Sequence, residues 1–85
     1  MDIQSQILGM SNAAHEAVKC LFFHGPTRDG DMPSKSGRDE IVSLGLAERG
    51  DGWQWLTRAG IDFAIVILLL DGEKDKWQRQ RAVNQ

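Results

Sequence analysis

The side chains able to do chemistry are few and scattered along this chain. His15, Cys20 and His24 are the only obvious metal-binding types, and Cys20 and His24, four apart on a helix, could reach one ion. They have neither a fourth ligand nor a paired cysteine motif, so no metal is expected; the simpler reading is a buried Cys20 and solvent-facing histidines. No nucleophile, base and orienting group fall together, no carboxylates pair in an apolar setting, and no glycine-rich phosphate loop follows a strand. Gly50-Asp51-Gly52 reads as a hairpin turn. The chain is therefore expected to be non-enzymatic and to need no cofactor.

Contact chemistry is better represented. Lys35, Arg38, Arg49 and Arg58 are cations able to meet phosphates, and Ser34 and Ser36 could add contacts to the same backbone. Asp39, Glu40, Glu48 and Asp51 share that window, so its formal charges cancel. Trp53 and Trp55 could stack on bases or anchor a protein interface, with packing of one of them on a neighbouring helix as the plainer role. Trp77 is expected to cover the end of a core or a dimer seam.

The elements that position these residues follow from periodicity. Ile7, Met10, Ala14, Ala17, Val18 and Leu21 form one helical stripe between Ile3 and Phe23, interrupted or not at Gly9, where Ser11 or Asn12 would cap a second start. No Glu or Gln stands where it would complete a capping box there. His24-Gly25-Pro26 ends the helix. Pro26 to Pro33 is turn chemistry, a loop with room for a very short edge strand and only Met32 as an anchor. A second helix opens at Ser34 or Ser36, the latter with Asp39 three residues on, and closes at Gly45; a Schellman ending would bring Leu46 onto Ile41. Leu46 to Arg49 and Trp53 to Thr57 then make a β-hairpin. A three-residue loop would set Leu46 against Leu56 with the tryptophans on the opposite face, and a two-residue loop would set Leu46 against Trp55. Thr57 caps a last helix over residues 58–82. Its stripe of Ile61, Ala64, Ile65, Leu68 and Leu69 is expected to face the core. Phe63, Ile67 and Leu70 lie on other faces and, with Trp53, Trp55 and Trp77, are the candidate protein interface. Gly72 is a break or a weak point in that helix.

Composition bounds the rest. With 85 residues the chain makes one domain with a small core, and 41% apolar with 26% charged residues is ordinary globular composition. A single cysteine allows no internal disulfide, and the amino terminus lacks a signal-peptide pattern, so a cytoplasmic location is expected. The longest apolar run, Phe63 to Leu70, is far short of the roughly 20 residues a bilayer requires, so no membrane partner is expected. A helix apolar all round exceeds what so small a domain covers, which predicts a homodimer through the C-terminal helix. A net charge of −2 supplies no global attraction to nucleic acid.

Two segments carry a resemblance. Ser34-Lys35-Ser36-Gly37-Arg38-Asp39-Glu40-Ile41-Val42-Ser43-Leu44-Gly45-Leu46-Ala47-Glu48-Arg49 and Gly52-Trp53-Gln54-Trp55-Leu56-Thr57-Arg58-Ala59-Gly60 resemble a winged-helix domain, in which a recognition helix ends in a Leu-Gly-Leu turn, a two-stranded wing follows, and Leu-Thr-x-x-Gly opens the last helix. The stretch Pro26 to Pro33 is too short and too rich in Gly and Pro to supply the helix that family places before the recognition helix. The resemblance implies an α+β fold, mainly helical, with one hairpin and a long C-terminal helix. It further implies a small DNA-binding transcriptional regulator, with the helix beginning near Ser34 entering a groove of double-stranded DNA. Small proteins of this style are also similar to bacteriophage accessory proteins, which implies the alternative of a protein–protein module that blocks a host protein, in the manner of an anti-CRISPR.

Overall fold

The computed structural model describes the backbone of residues 3–83 and the side chains of residues 6–72. The first apolar stripe is split into α1 (Ile3–Leu8) and α2 (Asn12–His24). Gly9 and Met10 turn the chain, and Ser11 leaves helical geometry at φ −69°, ψ 160°. Its hydroxyl accepts the Ala14 N–H at 3.1 Å, so a true N-cap divides the two helices. At the far end the Gly25 N–H bonds the Leu21 carbonyl and φ turns to 75°, a conformation that stops α2 where Pro26 follows.

The short edge strand is present as β1 (Thr27–Arg28), followed by one 3-10 turn at Asp29–Asp31 and the buried Met32. Helix α3 (Lys35–Ser43) starts at Ser34, whose hydroxyl accepts the Gly37 N–H at 3.1 Å; Ser36 lies inside the first turn. The helix closes as expected. Leu46 N–H reaches the Ile41 carbonyl at 2.9 Å and Gly45 N–H reaches Val42 at 3.0 Å, the two bonds of a Schellman ending, with Ile41 and Leu46 both buried.

The hairpin of β2 (Ala47–Gly50) and β3 (Trp53–Leu56) adopts neither expected register. Ala47 pairs with Leu56, Glu48 with Trp55, Arg49 with Gln54 and Gly50 with Trp53. The loop is Asp51-Gly52 alone, with φ of 53° and 83°, the left-handed pair of a two-residue type I′ turn. Gly50 thus belongs to the strand, and the Trp55 ring passes over it, Cη2 lying 3.3 Å from where a Cβ would stand. With β1 added the sheet is antiparallel in the order β1-β3-β2. The fold is α+β, mostly helical, and its layout is compatible with a winged helix.

Helix α4 (Arg58–Val83) runs through Gly72 unbroken. Thr57 caps it, accepting the Gly60 N–H at 3.1 Å. Its faces differ from those expected: Ala64 is buried as the stripe requires, but Phe63 and Ile67 are buried with it and Val66 and Leu70 pack beside them, while Leu68 is half-buried and Ile61, Ile65 and Leu69 face outwards. Phe63, Ile67 and Leu70 are therefore core residues and not an exposed interface. Gly60 explains the rotation. Its Cα lies so close to the Leu46 carbonyl that a Cβ would collide with it, and the positions three, four and seven residues later must share that inward side. Trp77 lies outside the described side chains.

Gly60→Ala is expected to cost about 1–3 kcal/mol by overpacking against backbone, read as a lower urea midpoint. Gly72→Ala, at a helical position with open space around it, should instead raise stability by roughly 0.5–1 kcal/mol.

Candidate functional site

The cations expected to meet phosphate are divided by the fold. Arg38 turns inwards from α3: its Nη1 donates to the Asp29 carbonyl, and only 22% of its side chain is exposed. Its own carbonyl accepts the Gln54 Nε2 at 3.0 Å, so this residue ties the 3-10 turn, α3 and β3 together. Arg49 Nη2 lies 2.7 Å from Asp39 Oδ1, across from β2 to α3. That hydrogen bond, with the charges of Arg49, Arg38 and Lys35, holds the Asp39 carboxyl below its ordinary range. A carboxylate thus occupies the exposed face of α3. Ser34 is used as the cap, and its hydroxyl also shares a 3.0 Å hydrogen bond with Ser36. Lys35 stands exposed at the start of α3. Arg58 is 90% exposed, with its Nε 3.9 Å from Asp62 one turn on.

A second surface forms on the outer side of the sheet. Trp53 and Trp55, two apart on β3, share that side, while Gln54 between them is wholly buried. Trp53 is 41% exposed and carries the Arg28 guanidinium 5.2 Å above its ring, a cation–π contact of about 0.5–1 kcal/mol at an exposed site. The β1–β3 register makes this pair, since Arg28 and Trp53 are directly opposite. Trp55 is half-buried and lines a groove of about 340 Å³ with Phe22 and Leu21 of α2, Pro26, and Leu56 and Ile61 around the start of α4. Sequence reasoning missed Arg28, Phe22 and Ile61 here. The alternation Trp-Gln-Trp marked the side of the sheet, but nothing local placed Arg28 opposite Trp53.

Glu40 was missed as well. Its carboxylate accepts the Ser11 hydroxyl at 2.6 Å and the Ser11 N–H at 3.1 Å, supplying from α3 the acidic partner that α2 lacks in its own sequence. These two bonds, helped by the charge of His15, hold the Glu40 carboxyl below its ordinary range. His15 is not solvent-facing: its Nε2 donates to the Ile7 carbonyl at 2.7 Å and secures α1. Cys20 is half-buried, and His24 is exposed. Lys19 joins Glu16 at 3.0 Å to Asp71 at 3.3 Å, linking α2 to α4, and the hydrogen bond to Glu16 leads the causes that raise its pKa.

Among the described residues no three His, Cys, Asp or Glu side chains gather to hold a metal, and no helix is long and apolar enough to cross a membrane. Comparison of the chain with protein families, with curated proteins and with solved structures gave no match.

Because the folded-state pKa of Glu40 is depressed, its contribution is complete above the unfolded glutamate value of about 4.3. It is lost as pH falls through the lower folded value. Glu40→Ala should cost roughly 1 kcal/mol at neutral pH, as loss of a cap does, and should flatten the acid limb of a stability-against-pH curve.

Proposed function

We propose that this chain is a non-enzymatic winged-helix-like binding module whose partner is a protein, held on the sheet face of Arg28, Trp53 and Trp55. The carrying observation is the contrast between two surfaces. On α3 and the hairpin, Arg38 and Arg49 are engaged within the fold and Asp39 faces outwards. On the other surface, Trp53 of the sheet and Phe22 of α2 stay open to solvent beside a formed groove. Aromatic and arginine side chains are the groups that dominate binding energy at protein interfaces, most of all beside a pocket. Phosphate binding has the opposite requirement, because its affinity rises with each uncompensated cation. Inhibition of a host system, as by an anti-CRISPR, is one role such a module fills.

A second reading is a DNA-binding regulator. It draws on Lys35 and Ser36, exposed on the first turn of α3 next to the hairpin, where a recognition helix meets a groove. Lys35, Arg58 and Arg28, exposed among the described residues, would together neutralise about three phosphates per copy and give a log–log salt slope near −3.

Two measurements separate these readings. In a fluorescence titration with mixed-sequence duplex DNA at low salt, no saturable binding is expected. In a plating assay on a host with active CRISPR interference, the expressed chain should restore phage plating. Trp53→Ala should abolish the rescue and Lys35→Ala should leave it intact. DNA binding that vanishes in Lys35→Ala and survives Trp53→Ala would overturn the protein-partner reading.

A further inference from the structure

We propose that the outward face of α4 seats a second copy of this chain, with Ile65 of each copy entering the groove beside Ile61 of the other. The proposal holds whichever partner the sheet face binds, and a partner that reached Trp55 and the groove would compete with the second copy. Ile61, Ile65 and Leu69 recur every four residues and are 39%, 46% and 64% exposed, although the inner face of the helix is already complete with Phe63, Ala64 and Ile67. Ile61 also forms one wall of the groove with Phe22 and Trp55. One surface therefore holds a concavity and, a turn further along, protruding aliphatic side chains. A two-fold interface requires such a patch, because the same surface must complement itself.

The charges select the arrangement. Arg58 precedes Ile61 by one turn, and Asp62 follows it directly. Their contact within the chain is a loose 3.9 Å through Nε, and the Arg58 side chain is 90% exposed. When two copies of α4 lie antiparallel across an axis near Ile61, Arg58 of each meets Asp62 of the other. Ile65 then points at the neighbouring groove. A parallel arrangement sets arginine against arginine, and an acidic ligand would be repelled by Asp62. Few apolar side chains take part, so the interface falls short of the roughly 800 Å² per copy of a standard one, and the dimer should be weak and concentration-dependent. Trp53 and Arg28 lie outside the groove lining, so in the dimer they stay open to a partner while the second copy covers Trp55 and Phe22.

Sedimentation velocity from micromolar to millimolar concentration tests this. The wild-type mass should rise from monomer towards dimer, Arg58→Asp should weaken association roughly tenfold, and the double variant Arg58→Asp with Asp62→Arg should restore it. Ile65→Arg should be monomeric throughout while keeping the wild-type circular dichroism and melting cooperativity. In a Cys20→Ala background, Ile61→Cys should form a disulfide dimer under oxidation and Leu69→Cys should not. Trp53→Ala should leave the dimer unchanged, which separates this proposal from that of the sheet face. A wild-type monomer at millimolar concentration would overturn it, as would a dimer that survives Ile65→Arg, or cross-linking at Leu69→Cys without cross-linking at Ile61→Cys.

Discussion

The corner where α3, the hairpin and α4 meet is a backbone contact, and backbone contacts leave little freedom. The Thr57 N–H reaches the Leu46 carbonyl at 3.0 Å, the Thr57 hydroxyl donates to the Gly45 carbonyl at 2.8 Å, and Gly60 presses against the same Leu46 peptide. Two residues of one helix start, Thr57 and Gly60, are thereby locked to the two that end another. The rotation of α4 about its axis follows, and with it the division of its apolar residues into a buried set and an exposed set. Burial of Phe63 and Ile67 then contributes about 1.5–3 kcal/mol each. The same rotation brings Ile61 to the groove under Trp55.

Much of this was legible from residue type at short range. The Schellman ending at Gly45, the Thr57 cap and the Gly25 stop are local devices, each set by a few consecutive residues, and each is where the sequence puts it. The failures have a common cause in contacts between distant segments. On α4 hydrophobicity alone did not orient the helix, because apolar residues occur on every side; the collision at Gly60 did, and it involves a peptide fourteen residues away. The hairpin register was lost for a smaller reason. Gly50 was counted with the turn, whereas Asp51-Gly52 suffices to reverse the chain, and one residue of difference changes every pair.

The candidate site divides in the same way. Trp53 and Trp55 were recognisable from the strand alternation, but the use of Arg38 and Arg49 inside the fold depends on Asp29 and Asp39, which no spacing rule connects to them. A basic side chain on or beside α3 is thus a weak indicator by itself. What matters is whether the fold leaves it without a carboxylate or carbonyl, and here the fold engages two of the four cations expected to bind phosphate.

The bond between Ser11 and Glu40 has a bearing on how the domain opens and closes. A helix start is usually a local event, able to fray on its own, yet the first turn of α2 is held by a carboxylate 29 positions further along. Unwinding that turn means parting from α3, and detaching α3 strips the turn of half its cap. The two segments are therefore bound into one cooperative unit of native-state hydrogen exchange, and their slowest amides should share a single opening free energy instead of forming a graded series from the helix end.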